Sequence, residues 1–204
     1  VRLKEFTQID ELAPKFVNKV VDKSQWKRKG SGMAATVWQH MMDPHTVVKL
    51  VGGGDAPASP NELKTAIAFV QFCVEHGHEN KHFPIIHGIN VDDPEVVQIR
   101  IEALFKIKDD AVGRHLAYLA DSLYWGWGKN AVSNLNLHLR NSIYGKSNTA
   151  EDILVACKLL TKWAPKYQKL YKLPIDKELD LHEDNWMARA DGTLVAVDPW
   201  YSGS

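Results

Sequence analysis

Three oxygen-bearing side chains late in the chain have the types and spacing to hold a divalent cation against phosphate. Within DLHEDNWMARADGTLVAVDPW, Asp180 and Asn185 stand five residues apart in a loop, and Asp198 follows thirteen residues after Asn185. Between them, WMARADGTLVAV reads as a hairpin around Asp191-Gly192, a favoured two-residue turn. Closing that hairpin brings its ends together, so one amide oxygen and two carboxylates converge where a cation bridges phosphate oxygens. Read singly, Asp180 and Asn185 are ordinary turn residues and Asp198 is a strand end before Pro199, which leaves the combined spacing unexplained.

A second set lies early. Gly30, Ser31 and Gly32, followed by Ala34, Ala35 and Val37, occupy the tip between two candidate strands, and glycines let backbone N–H groups approach phosphate oxygens without Cβ obstruction. Taken alone, Gly-Ser-Gly is an ordinary hairpin tip. What joins it is Lys49, inside the apolar run VVKL, where a charge either points to solvent or reaches an anion. Its place on the strand after the glycine hairpin favours the anion. A lysine so used needs a carboxylate, and the next helix offers Glu62 and Glu75, which differ by roughly 140° around the axis. Glu62 lies on the flank with Ala66, Phe69 and Cys73 and is preferred; the alternative is that it serves the positive end of its own helix.

The elements that must position these groups are legible in outline. Phe6, Ile9, Leu12 and Phe16 give a short amphipathic opening; KRKGSGMAATVWQHM and DPHTVVKLV read as strands around an MDPH turn, and GGGDAPASP as a flexible loop. From Asn61 to His76, Leu63, Ile67, Val70 and Val74 recur at helical spacing, with Ser59 or Asn61 as cap and Gly77 as stop. HFPIIHGINV and EVVQIRIEALF are two more strands around VDDPE. Beyond Phe105 the texture is helical: AVGRHLAYLADSLYWGW, AVSNLNLHLRNSIYG, then TAEDILVACKLLTKWAPKYQKLY, where Thr149 with Asp152 resembles a capping box and Pro165 is expected to kink or divide the helix. The fold class is therefore α+β, with residues 1–104 forming a sheet lobe with one helix and residues 105–204 a mainly helical lobe closed by the hairpin.

Composition bounds the partners. At 204 residues and 45% hydrophobic content, the chain can bury a sizeable core as one domain or as two lobes around a cleft. Lys plus Arg equals Asp plus Glu at 25 each, so no net field marks a nucleic-acid or membrane-surface protein. Cys73 and Cys157 read as buried reduced thiols, no apolar run approaches the ~18 residues of a membrane span, and VRLKEFTQIDELAPKF is too charged for a signal peptide. A cytoplasmic protein is expected. His76, His78, His82 and His87 fit no tight metal pattern, and Trp125-Gly126-Trp127 with Tyr124 reads as core packing at a helix end. The basic run Lys23, Lys27, Arg28 and Lys29 reads as a solvated face, with added positive potential near phosphate as the alternative.

In their order, these segments resemble the protein-kinase and aminoglycoside-phosphotransferase superfamily. GSGMAATV resembles the phosphate-covering loop, with Ala35 where a third glycine often stands; VVKL resembles the strand of the kinase lysine; DLHEDN resembles the catalytic loop; and VDPW stands where the metal-binding Asp-Phe-Gly lies. Within that superfamily the likeness is nearest to the early protein kinase of T-seven-like bacteriophages, through the Asp-X-His-X-X-Asn loop and Asp-Pro in place of Asp-Phe-Gly. The small-molecule phosphotransferases share Asp-Leu-His.

The resemblance implies a two-lobed protein-kinase-like fold with a truncated C-lobe, binding ATP and Mg2+ and phosphorylating Ser or Thr on a host protein. It gives Gly30, Ser31, Gly32 and Val37 the nucleotide, Lys49 the phosphates in a pair with Glu62, and Asp180 the proton of the attacking hydroxyl. Asn185 and Asp198 hold magnesium. IRIEALF resembles the hinge, with Ile101 as gatekeeper and the Glu102 carbonyl and Leu104 amide meeting adenine. His182, where eukaryotic loops have lysine, touches the phosphoryl group or orients the loop. Two departures stand out: Leu179 replaces the arginine before the catalytic aspartate, so activity is expected without activation-loop phosphorylation, and six residues follow Asp198. That ending is read as a minimal kinase, a longer product or lost catalysis. The rivals are a pseudokinase or binding module, and a small-molecule phosphotransferase.

Overall fold

The computed structural model describes residues 25–32, 34–125, 128–174 and 179–200. The amphipathic opening and Lys23 lie outside them. The chain is α+β and divides into two units, one of residues 25–75 with 85–103, the other of residues 76–84 with 104–200. The sequence suggested a single boundary after residue 104. Residues 76–84 instead belong with the helical unit because that unit's hairpin binds their backbone, as described below.

The first unit is an antiparallel sheet of five strands: β1 (Trp26–Ser31), β2 (Ala35–His40), β3 (Thr46–Val51), β4 (Ile86–Asp93) and β5 (Val96–Glu102), in the order β1-β2-β3-β5-β4. Side chains alternate across a strand, and β3 is apolar on both faces. Val48 and Leu50 join Trp26, Val96 and Trp38 on one side. Val51 joins Ile89, Val97 and Ile99 on the other, where α1 (Pro60–His76) lays Leu63, Ala66, Ile67, Val70 and Val74. Ser59 caps α1: its Oγ accepts from the Glu62 N–H at 3.2 Å, and the Glu62 carboxylate accepts from the Ser59 N–H at 2.6 Å. Between β3 and α1 the loop is anchored at Gly52, which has φ +93°; a Cβ there would lie 2.1 Å from the Glu95 carbonyl oxygen.

The second unit holds α2 (Asp110–Trp125), α3 (Gly128–Arg140), α4 (Ala150–Tyr171) and a small antiparallel sheet of β6 (Phe105–Lys106), β7 (Trp186–Ala188) and β8 (Leu194–Ala196). Helical periodicity gives each helix its buried stripe, for example Ile153, Ala156, Cys157, Leu160, Ala164 and Tyr167 on α4. Thr149 caps α4 by accepting from the Asp152 N–H. Pro165 does not divide α4, which runs unbroken from Ala150 to Tyr171. Proline removes one intrahelical bond, and the buried Ala164, Tyr167 and Gln168 beside it fix the helix by packing.

Two further expectations are corrected. The β7–β8 connection is longer than a two-residue turn: the Arg189 N–H donates to the Thr193 carbonyl and the Gly192 N–H to the Arg189 carbonyl, with Gly192 at φ +86°. This is a three-residue loop whose glycine takes the left-handed position. Trp125 is 64% exposed rather than packed in a core, because at 100° per residue it lies about half a turn from the buried Leu116. Gly126 and Trp127 are outside the described residues. Both cysteines are unpaired and buried, and burial pushes their thiols up, Cys157 to about 12. Among the described residues, no helix is long and apolar enough to cross a membrane.

Candidate active site

In the second unit, the loop 180–185 is clamped at both ends by the chain segment that carries Asp198. Leu179 forms a bridge with Trp200, and the Asp180 N–H donates to the Pro199 carbonyl at 2.8 Å. At the other end the Val197 N–H donates to the Asn185 carbonyl at 3.0 Å, next to the Trp186–Ala196 pair of β7 and β8. Asp198 sits between these two fastenings, opposite the loop. Apolar anchors set the loop's height: Leu179 and Leu181 are buried on either side of Asp180, and Trp200 stacks on Tyr167 with centroids 5.6 Å apart.

Within the loop, the buried Asn185 donates its Nδ2 to the Asp180 carbonyl at 2.5 Å. That bond turns the amide so that its oxygen is the remaining acceptor. Burial pushes the Asp180 carboxyl above its ordinary range and the negative charge of Asp198 adds to this, while His182 pulls the other way. A carboxylate raised in this way is a better proton acceptor than a free aspartate. His182 caps the 3₁₀ turn Glu183–Asn185, its Nδ1 accepting from the Asp184 N–H at 3.3 Å, and its Nε2 lies 4.0 Å from Asp180 Oδ1. Lys106 and Asp184 form an exposed ion pair at 3.3 Å.

The donor set fits magnesium. Asn185 and Asp198 would offer an amide oxygen and a carboxylate, hard ligands of the kind that a small cation takes in low number while keeping waters and phosphate oxygens. Among the described residues, no group of three His, Cys, Asp or Glu side chains has a metal-binding arrangement.

Two groups that sequence reasoning missed hold the hairpin in place. His82 is fully buried; its Nδ1 meets the Leu194 carbonyl at 2.6 Å, and its own carbonyl accepts from the Ala196 N–H at 2.9 Å. Burial lowers its pKa from 6.5 to about 4, so the ring is neutral and Nδ1–H is the donor. Arg189 donates to the carbonyls of Lys81 and Phe83. No local pattern marks either residue, since the partners are more than a hundred positions away for Arg189 and His82 alike.

The remaining residues lie in the first unit or at its edge. Gly30 pairs with Val37 and Val37 with Lys49, which in turn pairs with Ile99. Lys49 is half-buried and, by the alternation of β3, projects from the face that α1 covers, with Val51 and Ile99. The Gly32 N–H donates to the Ala35 carbonyl at 2.8 Å, Ser31 is exposed, and a Cβ added at Gly30 or Gly32 would meet nothing within 4 Å. Glu62 closes its own helix end through the Ser59 N–H, the second of the two roles its position suggested. Ile101 packs at the edge of the α1-side cluster. Glu102 ends β5, exchanging bonds with Ile85 through its N–H and its carboxylate, and Leu104 begins the second unit's long segment.

Comparison with known proteins adds little. No family model and no curated protein matches the chain. Among solved structures, it is similar to the GDP and kanamycin complex of the aminoglycoside phosphotransferase APH(2")-IIia, with 16% identity and a TM-score of 0.39. The match covers 87% of this chain and 66% of that one. Identity this low transfers no residue role.

Proposed function

We propose that the chain is an ATP- and magnesium-dependent phosphotransferase that moves the γ-phosphoryl group to a hydroxyl, with Ser or Thr of a protein as the acceptor. The observation that carries this reading is the clamped loop: Asp180 and Asn185 are tied to each other and, at both ends, to the segment bearing Asp198. Asp180 takes the acceptor's proton as the acceptor oxygen bonds to the γ-phosphorus. The bond to the bridging oxygen breaks and its electron pair leaves on the diphosphate. Magnesium, held through Asn185 and Asp198, would supply positive charge to the phosphate oxygens.

The first unit's contribution is to bind phosphate. Among the described residues, a Cβ at position 30 or 32 would meet nothing within 4 Å, which leaves the backbone there open to a ligand that approaches it closely. Lys49, half-buried on β3 of the same unit, is its cation for phosphate. On the family resemblance, the acceptor is a protein of a phage-infected bacterial cell.

The test is incubation with labelled ATP and magnesium, with cell lysate as a source of acceptors. Label should appear on protein, and both Asp180→Asn and Asp198→Ala should lose it by at least ~100-fold. Transfer that survives both substitutions overturns the reading, and transfer by no form overturns it too and leaves the binding module.

A further inference from the structure

We infer that His182 is a positioning residue for Asp180, its ring oriented by the turn it caps. The inference rests on the phosphotransferase reading of the site and chooses between the two roles that the resemblance left open for this side chain.

The backbone of His182 is extended, with φ −68° and ψ 170°, the conformation of a residue that caps a helical turn from outside it. Its Nδ1 accepts the Asp184 N–H. A ring nitrogen that accepts a hydrogen bond carries no proton, so the neutral imidazole must carry its proton on Nε2. Nε2 is the atom that faces Asp180 Oδ1 at 4.0 Å. At that distance the contact is between a charge and an N–H dipole rather than a formed hydrogen bond.

Two consequences follow from the tautomer. With Nε2 protonated and Nδ1 occupied, the neutral ring has no lone pair for the acceptor's proton, and the base is Asp180 alone. An N–H beside Oδ1 favours the carboxylate rotamer that keeps this oxygen near His182 and turns Oδ2 toward the incoming hydroxyl. The same side chain thus fixes the turn through one nitrogen and the base through the other.

Two substitutions separate those nitrogens. His182→Asn places an amide oxygen near the site of Nδ1, keeping the cap and removing the N–H toward Asp180. His182→Gln carries an amide nitrogen out toward the site of Nε2 and gives up the cap. In the labelled-ATP assay, His182→Asn should lower kcat about tenfold with KM for ATP unchanged, and His182→Gln should retain more of kcat than His182→Asn does. Nitrogen NMR of the wild-type ring should show a protonated Nε2 and a bare Nδ1. Exchange of the Asp184 amide should be slow in wild type and His182→Asn and fast in His182→Gln.

A ring protonated on Nδ1, or a His182→Asn enzyme as active as wild type, overturns the positioning role while leaving the phosphotransferase reading intact. Transfer absent from every form, wild type included, overturns that reading, and the catalytic role of His182 falls with it even where the nitrogen spectrum shows the expected tautomer.

Discussion

Acidification should release the hairpin that carries Asp198, because His82 is buried in its neutral form. The folded ring has its pKa lowered from 6.5 to about 4, chiefly by burial. Between those values the unfolded chain binds a proton that the folded chain refuses, so stability is complete above pH 6.5 and falls as pH drops toward 4. The whole gap is worth roughly 3 kcal/mol, of which about 2 kcal/mol is lost between pH 7 and pH 5. Carboxylates titrate mostly below that interval, and the comparison with a variant lacking the ring separates His82 from the other eight histidines. The assay is amide exchange at Ala196, whose N–H donates to the His82 carbonyl, converted to an opening free energy at each pH and checked against urea unfolding. His82→Asn keeps a side-chain N–H for the Leu194 carbonyl but has no titrating ring; it should be less stable at pH 7 and show almost no loss on going to pH 5. Equal losses in wild type and His82→Asn would refute the reasoning.

Glycine positions 52 and 30 should behave in opposite ways. Gly52→Ala should cost roughly 2 kcal/mol or more in thermal unfolding, since the residue has φ +93° and an added Cβ meets the Glu95 carbonyl; Gly30→Ala should leave Tm within a degree or two and weaken ATP binding in calorimetry. Ser59→Ala should cost about 1 kcal/mol in urea unfolding through loss of the α1 cap, without altering the nucleotide affinity of Lys49's strand. Asn148 donates to the Tyr144 and Gly192 carbonyls and accepts the Leu194 N–H, so Asn148→Ala should cost about 2 to 3 kcal/mol, measured the same way.

The local grammar of the chain was readable where its signals are short-ranged. The stripe Leu63, Ile67, Val70 and Val74 found its helix and its buried face, and Thr149 with Asp152 marked where α4 begins. Of the two effects that Pro165 suggested, a kink or a break, the break does not occur, because a helix wedged by buried neighbours tolerates a missing bond that an isolated one would not. The same grammar misjudged Asp191-Gly192, where the glycine takes the left-handed place at the end of a three-residue loop rather than the second place of a tighter turn. Trp125 was misplaced because its own neighbours in sequence do not say where the buried stripe of α2 runs.

From the sequence alone came the order of elements, the α+β class, the caps, and the choice of Asp180, Asn185 and Asp198 as one group, since each depends on residue type and spacing over a few positions or on closing one hairpin. Tertiary structure alone decided which way those groups are held. His82 and Arg189 tie the hairpin to residues 81–83 across separations of 112 and 106 positions, and the His182 tautomer depends on which N–H points at its ring. Such bonds join chain segments whose closeness is set by packing of the whole unit, and packing leaves no periodic trace in the residues that it brings together.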